Sequence, residues 1–414
     1  MQLITKMMVL VQLILPVYSQ AQEQSVPNKT VLDPIEVNIL ASYYEQDGDH
    51  SPVTGGVATE DLTDFTPTVT VFVPLDANST LSANLGVDFY TSASTDNIDT
   101  DVSSASNKDA RIHLNVGYTR KMPKRGETYG ITLAVSKEYD VLSFLVGASW
   151  VKESTDSNRE LGINAHVFHD TWDLYLPVEF RTPKTGNRRG DDDSNYLTGD
   201  GQDSDTRTSV DFSLIYSQVL TKKFQASIEA GIVYQTGLLS TPFHRVFFND
   251  GVDVNNLNNA VGLIASSKLR KIETLPGNRI KVPIGLRLNY YANNLVVFRF
   301  YYRYYHDDFG ITGNTLSLDV PIKTSNYFSI FPFYRFHTQT AADHFKEFGQ
   351  HDIGAKYFTS DFDLSSFESH KVGLGFRYSP LYGIVGGVKS LEIRYSRYFR
   401  EDGLDASIIS FGVS

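Results

Sequence analysis

Three stretches of this sequence stand out for their polar side chains, and one of them, His306-Asp307-Asp308, carries metal-ligand chemistry. Pro242-Phe243-His244-Arg245 puts an imidazole and a guanidinium side by side in an otherwise apolar segment. His306-Asp307-Asp308 and the pair Asp361 and Asp363 supply carboxylates, the first set with an imidazole beside them. Imidazole nitrogen and carboxylate oxygen are ligands for zinc and its neighbours, and they also pair with charged solutes. With His337, Asp343 and His344 the 306–308 set could form a metal site at a rim; histidines that simply meet water are the plainer reading. The segment GDDDSNYLTGDGQDSDT in 182–207 spaces aspartates as calcium loops do. Tyr196, however, stands where an EF-hand needs glycine, and no glutamate closes the site. It reads as an exposed acidic loop. No metal and no cofactor are expected from these sets. No nucleophile elbow or compact Ser/His/Asp signature appears either, so an enzyme is not expected, a rim hydrolase being the remaining catalytic alternative.

A fourth feature is the run FRFYYRYYHDDFG at 298–310. It is too polar for a buried core and too aromatic for a loop. Read with a period of two, Phe298, Phe300, Tyr302 and Tyr304 share one face, and Arg299, Tyr301, Arg303 and Tyr305 share the other. Arginine against hydrocarbon costs about 2–4 kcal/mol at mid-depth, so a strand of this kind in a membrane turns its arginines to a lumen. The same parity places Lys281, Arg287, Arg335, Lys371, Arg377 and Arg394 inside with Arg299 and Arg303, as a basic wall. Glu36, Asp88, His113, His166, Asp211 and Glu229 form an acidic and histidine-bearing side. Such walls either set a transverse field across a water-filled aperture or pair across a filled interior. Both readings stay open on the sequence.

The elements that must position these groups are strands. Leu81, Ala83, Leu85, Val87 and Phe89 alternate with Ser82, Asn84, Gly86, Asp88 and Tyr90, and 112–119 and 129–136 repeat the pattern. One apolar and one polar face per segment is the signature of an all-β chain. The alternation predicts strands at 35–46, 66–74, 80–92, 110–120, 129–138, 142–152, 159–168, 208–219, 224–236, 280–292, 295–305, 312–322, 327–338, 369–379, 390–400 and 405–414. The segment 172–181 is expected to extend a strand or form an external hairpin. Short turns near 74–78, 221–223, 292–294 and 323–325 fall on one side, and long polar segments at 47–65, 93–108, 182–207, 237–279 and 339–368 on the other. About sixteen antiparallel strands with short periplasmic turns and long extracellular loops describe a transmembrane β-barrel. A soluble β-sandwich would need no such asymmetry.

Composition agrees. The chain has 414 residues, 24 tyrosines, 26 phenylalanines, no cysteine and a formal charge of -11. Abundant aromatics at slightly negative mean hydropathy suit interfacial girdles around a polar lumen. The charge argues against nucleic acid, and the missing cysteine excludes disulfides, thiolate metal sites and a lipoprotein anchor. Residues 1–21 read as a secretory signal: Lys6, an apolar run from Met7 to Val17, and Ser19-Gln20-Ala21 as cleavage site. Residues 22–34 then form a periplasmic N-terminal segment and 35–414 the barrel, placed in the cell outer membrane of a Gram-negative bacterium. Its partners would be outer-membrane lipid and the barrel-assembly machinery. The last strand, with Ile409, Phe411 and Val413 on one face, suits insertion, although terminal phenylalanine is absent.

Five stretches carry a resemblance: YYEQDGDHSPVTGG at 43–56, GLLSTPFHRVFF at 237–248, YYRYYHDDFGITGNT at 301–315, DFDLSSFESHKVGLG at 361–375 and LEIRYSRYFREDGLDASIIS at 391–410. On them the chain resembles, over nearly its whole mature length, a family of bacterial outer-membrane proteins known only as a domain of unknown function numbered in the 3500s. The resemblance implies a setting beside a flavin-attaching transferase, a small lipoprotein and a thioredoxin-like protein. A scaffold for a lipoprotein or redox carrier therefore stands beside a monomeric pore for small polar, anionic solutes, with an adhesin third. The stretches fall at rim positions, and an apolar loop bearing Pro242 to Arg245 suits a fold back into the mouth or a partner surface.

Overall fold

The computed structural model describes residues 32–92, 108–180, 182–183, 197–198, 200–249 and 269–414. The signal segment lies outside them, as does most of the acidic loop. Strands run in order as β1 (Glu36–Asp47), β2 (Leu62–Asp76), β3 (Ser79–Ser92), β4 (Lys108–Met122), β5 (Glu127–Lys137) and β6 (Val141–Glu153). They continue as β7 (Arg159–Tyr175), β8 (Asp200–Thr221), β9 (Phe224–Gly237), β10 (Asn278–Tyr291) and β11 (Val297–Asp307). The last are β12 (Thr312–Asp319), β13 (Phe328–Gln339), β14 (Phe367–Tyr378), β15 (Leu391–Arg400) and β16 (Asp405–Val413). Each pairs antiparallel with its chain neighbour, and β16 returns to β1 from Ile39↔Val413 to Asp47↔Asp405. The sheet is therefore a closed sixteen-stranded barrel; the two-residue strand Ile322–Lys323 continues β12 beyond Val320-Pro321 along β13. Closure leaves no edge to aggregate.

All sixteen expected strands are present, and their ends move where the alternation is weak. Strand β7 runs on to Tyr175 before a single 3-10 turn at Val178–Phe180, so of the segment 172–181 only 172–175 extend the strand, and 181 lies outside the described residues. Strand β8 begins at Asp200, and thus takes the end of the segment read as acidic loop. The long–short rule needs correction. The connections 138–140, 308–311 and 401–404 are tight turns on the long-loop side, while 379–390 is a long one on the other. A tight hairpin needs only the local turn residues, such as Gly310 with φ 90° and Gly403 with φ 100°, and these are not tied to one end of a barrel.

The two faces separate cleanly by register. Leu114, Leu133, Val146, Val167, Val210 and Ile232 lie on one parity across adjacent strands and are all exposed. Ile284, Phe298, Leu318, Tyr334, Val372 and Tyr395 continue this outer belt. An apolar band around a whole barrel far exceeds what a water-facing surface carries, and lipid is its solvent. No helix among the described residues is long and apolar enough to cross a membrane.

Most of the buried apolar side chains among the described residues sit elsewhere, in the loops. Val246, Phe247, Phe248 and Phe358 are nearly inaccessible, as are Phe309, Ile311 and Ala342. They come from the β9–β10, β11–β12 and β13–β14 connections. These loops pack on one another as a small globular cap.

Candidate functional site at the capped mouth

The cap crosses the barrel mouth. In a ring of sixteen strands the β1–β2 and β9–β10 connections stand opposite, so a contact between them bridges the opening. Arg245 makes that bridge. Its Nη1 donates to the Val53 carbonyl at 2.9 Å, and its Nε and Nη2 grip both oxygens of Glu179 at 2.7 and 3.2 Å. Three loops thus meet on one guanidinium. Burial opposes charge on Glu179, yet the Arg245 hydrogen bonds and the nearby positive charges hold its carboxyl below the usual value.

The β1–β2 loop is shaped to fit. Ser51, Thr54 and Gly55 are buried, and a 3-10 turn at Pro52–Thr54 ends in Gly55 with φ 84°. A Cβ there would lie 2.5 Å from Phe247 Cδ2, so only glycine allows the Phe247–Phe348 stack to close on this turn. His50 stacks on Phe362 with ring centroids 3.8 Å apart, tying the same loop to the β13–β14 connection. Gly55→Ala is expected to loosen the cap by about 1–3 kcal/mol through φ strain and overpacking. Limited proteolysis of 238–249 should quicken while the heat-modifiable migration of the barrel stays unchanged; equal protection would mean that this close approach does not hold the cap.

Within the cap, His244, Glu273 and Asp361 bring one ligand atom each within 4.8 Å of the others. His244 Nδ1 lies 3.8 Å from Glu273 Oε1 and 3.9 Å from Asp361 Oδ2. Glu273 Oε2 accepts from the Thr241 amide at 2.7 Å, and Oε1 accepts from the Thr359 hydroxyl. Asp361 Oδ1 accepts from the Asp363 amide at 2.9 Å. Burial would depress the His244 imidazole, but the facing carboxylates outweigh it and hold the ring above its ordinary value. Burial pushes the Asp361 carboxyl up to about 6 against the pull of His244.

The other expected rim residues do not join this cluster. Asp307, at the end of β11, is buried and accepts from Arg279, Tyr305 and the amides of Phe309 and Ile311. It closes a turn rather than meeting water. His306 stands on the outer parity against Thr312, and the Asp308 carboxylate accepts from the Ile280 amide. His337 pairs with Thr315, and His344 lies against Phe309 and Tyr357, so the rim metal set does not assemble. Pro242 is buried, Phe243 meets the His244 ring edge-on, and Asp363 pairs with Arg400 at 2.6 Å. Glu273, Thr359 and Glu179 escaped the sequence reading because nothing near them in the chain marks them.

Below the cap lies the inner wall. Arg287, Tyr301, Ser317, Arg335 and Lys371 stand in one cross-strand row. Arg303 follows one step toward the mouth, and Arg299 one step away. Arg287, Arg299, Arg303 and Arg335 are exposed although they occupy the inner parity. Lys281 is on the same face opposite Asp307, and Arg377 and Arg394 pair with Glu392 over Phe331. On the far side Asp88 takes Arg111 at 2.6 Å, and His166 lies 3.5 Å from Asp211. His113 lies against Gly86, Glu229 opposite Gly285, and Glu36 accepts from Asn38. A cavity of about 440 Å³ lies between wall and cap, lined by Tyr44, Arg335, His337, Lys371, Tyr398 and Arg400 among others.

Fold and site together define a membrane β-barrel with a loop-built cap over a basic lumen wall. The chain belongs to the family of proteins of unknown function DUF3570, which it matches over residues 5–401. Among solved structures it is similar to a bacterial polysaccharide outer membrane secretin at 10% identity and TM-score 0.46, covering 93% of this chain and 99% of that one. It is also similar to the outer membrane protein OpdK from Pseudomonas aeruginosa at 8% identity and TM-score 0.39, covering 93% and 98%. A BenF-like porin from Pseudomonas fluorescens Pf-5 gives 8% identity and TM-score 0.40 over 92% and 99%. No curated protein matches the chain.

Proposed function

We propose that this protein is an outer-membrane channel for small anionic solutes, gated or narrowed by its cap. One observation carries the reading. Among the described residues, no carboxylate lies within 4.0 Å of Arg287, Arg303, Arg335 or Lys371, and the three arginines are exposed on the inner face. On the opposite side Asp88, Asp211 and Glu36 engage local partners instead of crossing the barrel. Unneutralised guanidinium groups in a confined aqueous path raise the local anion concentration. The barrel stands in outer-membrane lipid as a monomer, inserted by the barrel-assembly machinery, and performs no catalysis.

Single-channel recording in a planar bilayer tests this. Wild type should conduct with anion over cation preference, and Arg287→Gln, Arg303→Gln and Arg335→Gln together should abolish that preference with folding intact. Loss of heat resistance without any change in conduction would mean that the arginines hold a closed interior. No conductance, with or without an intact cap, would sink the channel.

A second reading, a scaffold for a lipoprotein or redox carrier, is favoured by one feature. The long connection 379–390 on the end opposite the cap exposes Leu381 by 76%, Tyr382 by 98% and Val385 by 80%. Apolar tips so open to water suit a docking partner.

A further inference from the structure

We propose that His244, Glu273 and Asp361 form a binding site for one divalent cation of the zinc class, which fastens the cap. The donor set is one imidazole nitrogen and two carboxylate oxygens, drawn from two loops of the cap. His244 and Glu273 lie within the β9–β10 loop, next to its paired segments Arg245–Phe247 and Arg270–Ile272, and Asp361 belongs to the β13–β14 loop. Three observations point to a ligand rather than to a simple ion pair. The Nδ1 atom of His244 is buried, has no hydrogen-bond partner and faces both carboxylates. Glu273 is only 4% exposed, and among the described residues no lysine or arginine lies within 4.0 Å of it or of Asp361. Two carboxylates thus share one imidazole in a poorly solvated place, which leaves negative charge unbalanced. Finally, the oxygens are held in place. Thr359 and the Thr241 amide fix Glu273, and the Asp363 amide fixes one Asp361 oxygen while the other faces His244. Outer partners of this kind are what orient metal ligands.

The distances come close to those of a metal site. Metal–ligand bonds of about 2.0–2.2 Å in tetrahedral geometry separate ligand atoms by roughly 3.3–3.6 Å. The separations of 3.8 and 3.9 Å from His244 Nδ1 need only a small closing movement, and the two carboxylate oxygens start within 4.8 Å of each other. Calcium would want six or more oxygens, and soft cations would want sulfur, so a borderline divalent cation fits best. The site stands on its own geometry, whether or not the barrel conducts.

The test uses the full chain, refolded in detergent and stripped with a chelator, then titrated with Zn²⁺ by calorimetry and with Co²⁺ by visible absorption. Wild type should take up one equivalent, with Co²⁺ bands of a low-symmetry protein site. His244→Gln and Asp361→Asn should each weaken binding about tenfold or more, and His306→Gln, on the outer rim, should leave it unchanged. Heat-modifiable migration reports folding for every variant; should His244→Gln fail to fold, Asp361→Asn decides alone. Absence of saturable binding in wild type, or binding undiminished in a folded ligand variant, would overturn the site.

Discussion

Replacing Arg245 with alanine should turn a narrowed barrel into an open one. The side chain joins the β1–β2, β7–β8 and β9–β10 loops, and the residue is 7% exposed. Among the described residues, its loss takes the donor from the Val53 carbonyl and leaves Glu179 with Arg270 at 3.3 Å as its remaining cation. Breaking a buried charge pair on one side costs about 3–5 kcal/mol. With tenfold per 1.4 kcal/mol, the closed cap should lose roughly a hundredfold or more in population. The barrel itself should not suffer, because its strands are held by a closed ladder that does not run through the cap. In planar bilayers, the variant should therefore give larger and longer openings than wild type, with unchanged heat-modifiable migration. Arg245→Lys should fall between, since it keeps the charge but not the forked grip. Conductance identical to wild type, together with unchanged proteolytic protection of the cap, would show that Arg245 does not hold the mouth.

The second large effect concerns two adjacent residues on β5. Leu133 is 55% exposed and pairs with Val146, itself 57% exposed, in the middle of the outer belt. Thr132, its neighbour, faces inward opposite Gly117 and Gly147. Leu133→Arg sets a charge against hydrocarbon at a cost of about 2–4 kcal/mol, whereas the same residue at 132 has the lumen to enter. The folded fraction in lipid vesicles, read by heat-modifiable migration, should fall steeply for Leu133→Arg and little for Thr132→Arg. Equal losses would mean that the outer belt does not face lipid.

Both experiments rest on information of different origin. The faces of Leu133 and Thr132 were legible in the chain because pleating sends alternate side chains to opposite sides, a property of each strand alone. Sixteen such segments, and the assignment of Arg299, Arg303 and Arg335 to one face, needed nothing beyond that period. The position of Arg245 in an apolar loop was also visible, as was the oddity of His244 beside it. What they touch was not. Val53, Glu179 and Glu273 lie far from them or carry no local mark, and the tight turns at 138–140 and 401–404 broke a rule that only average barrels obey. Loop contacts are set by closure of the ring, which brings the β1–β2 turn opposite the β9–β10 loop, and closure is a sum over all sixteen strands rather than a property of any one. Alternation is local and survives in the sequence; the meeting of loops across a mouth exists only once the barrel has shut.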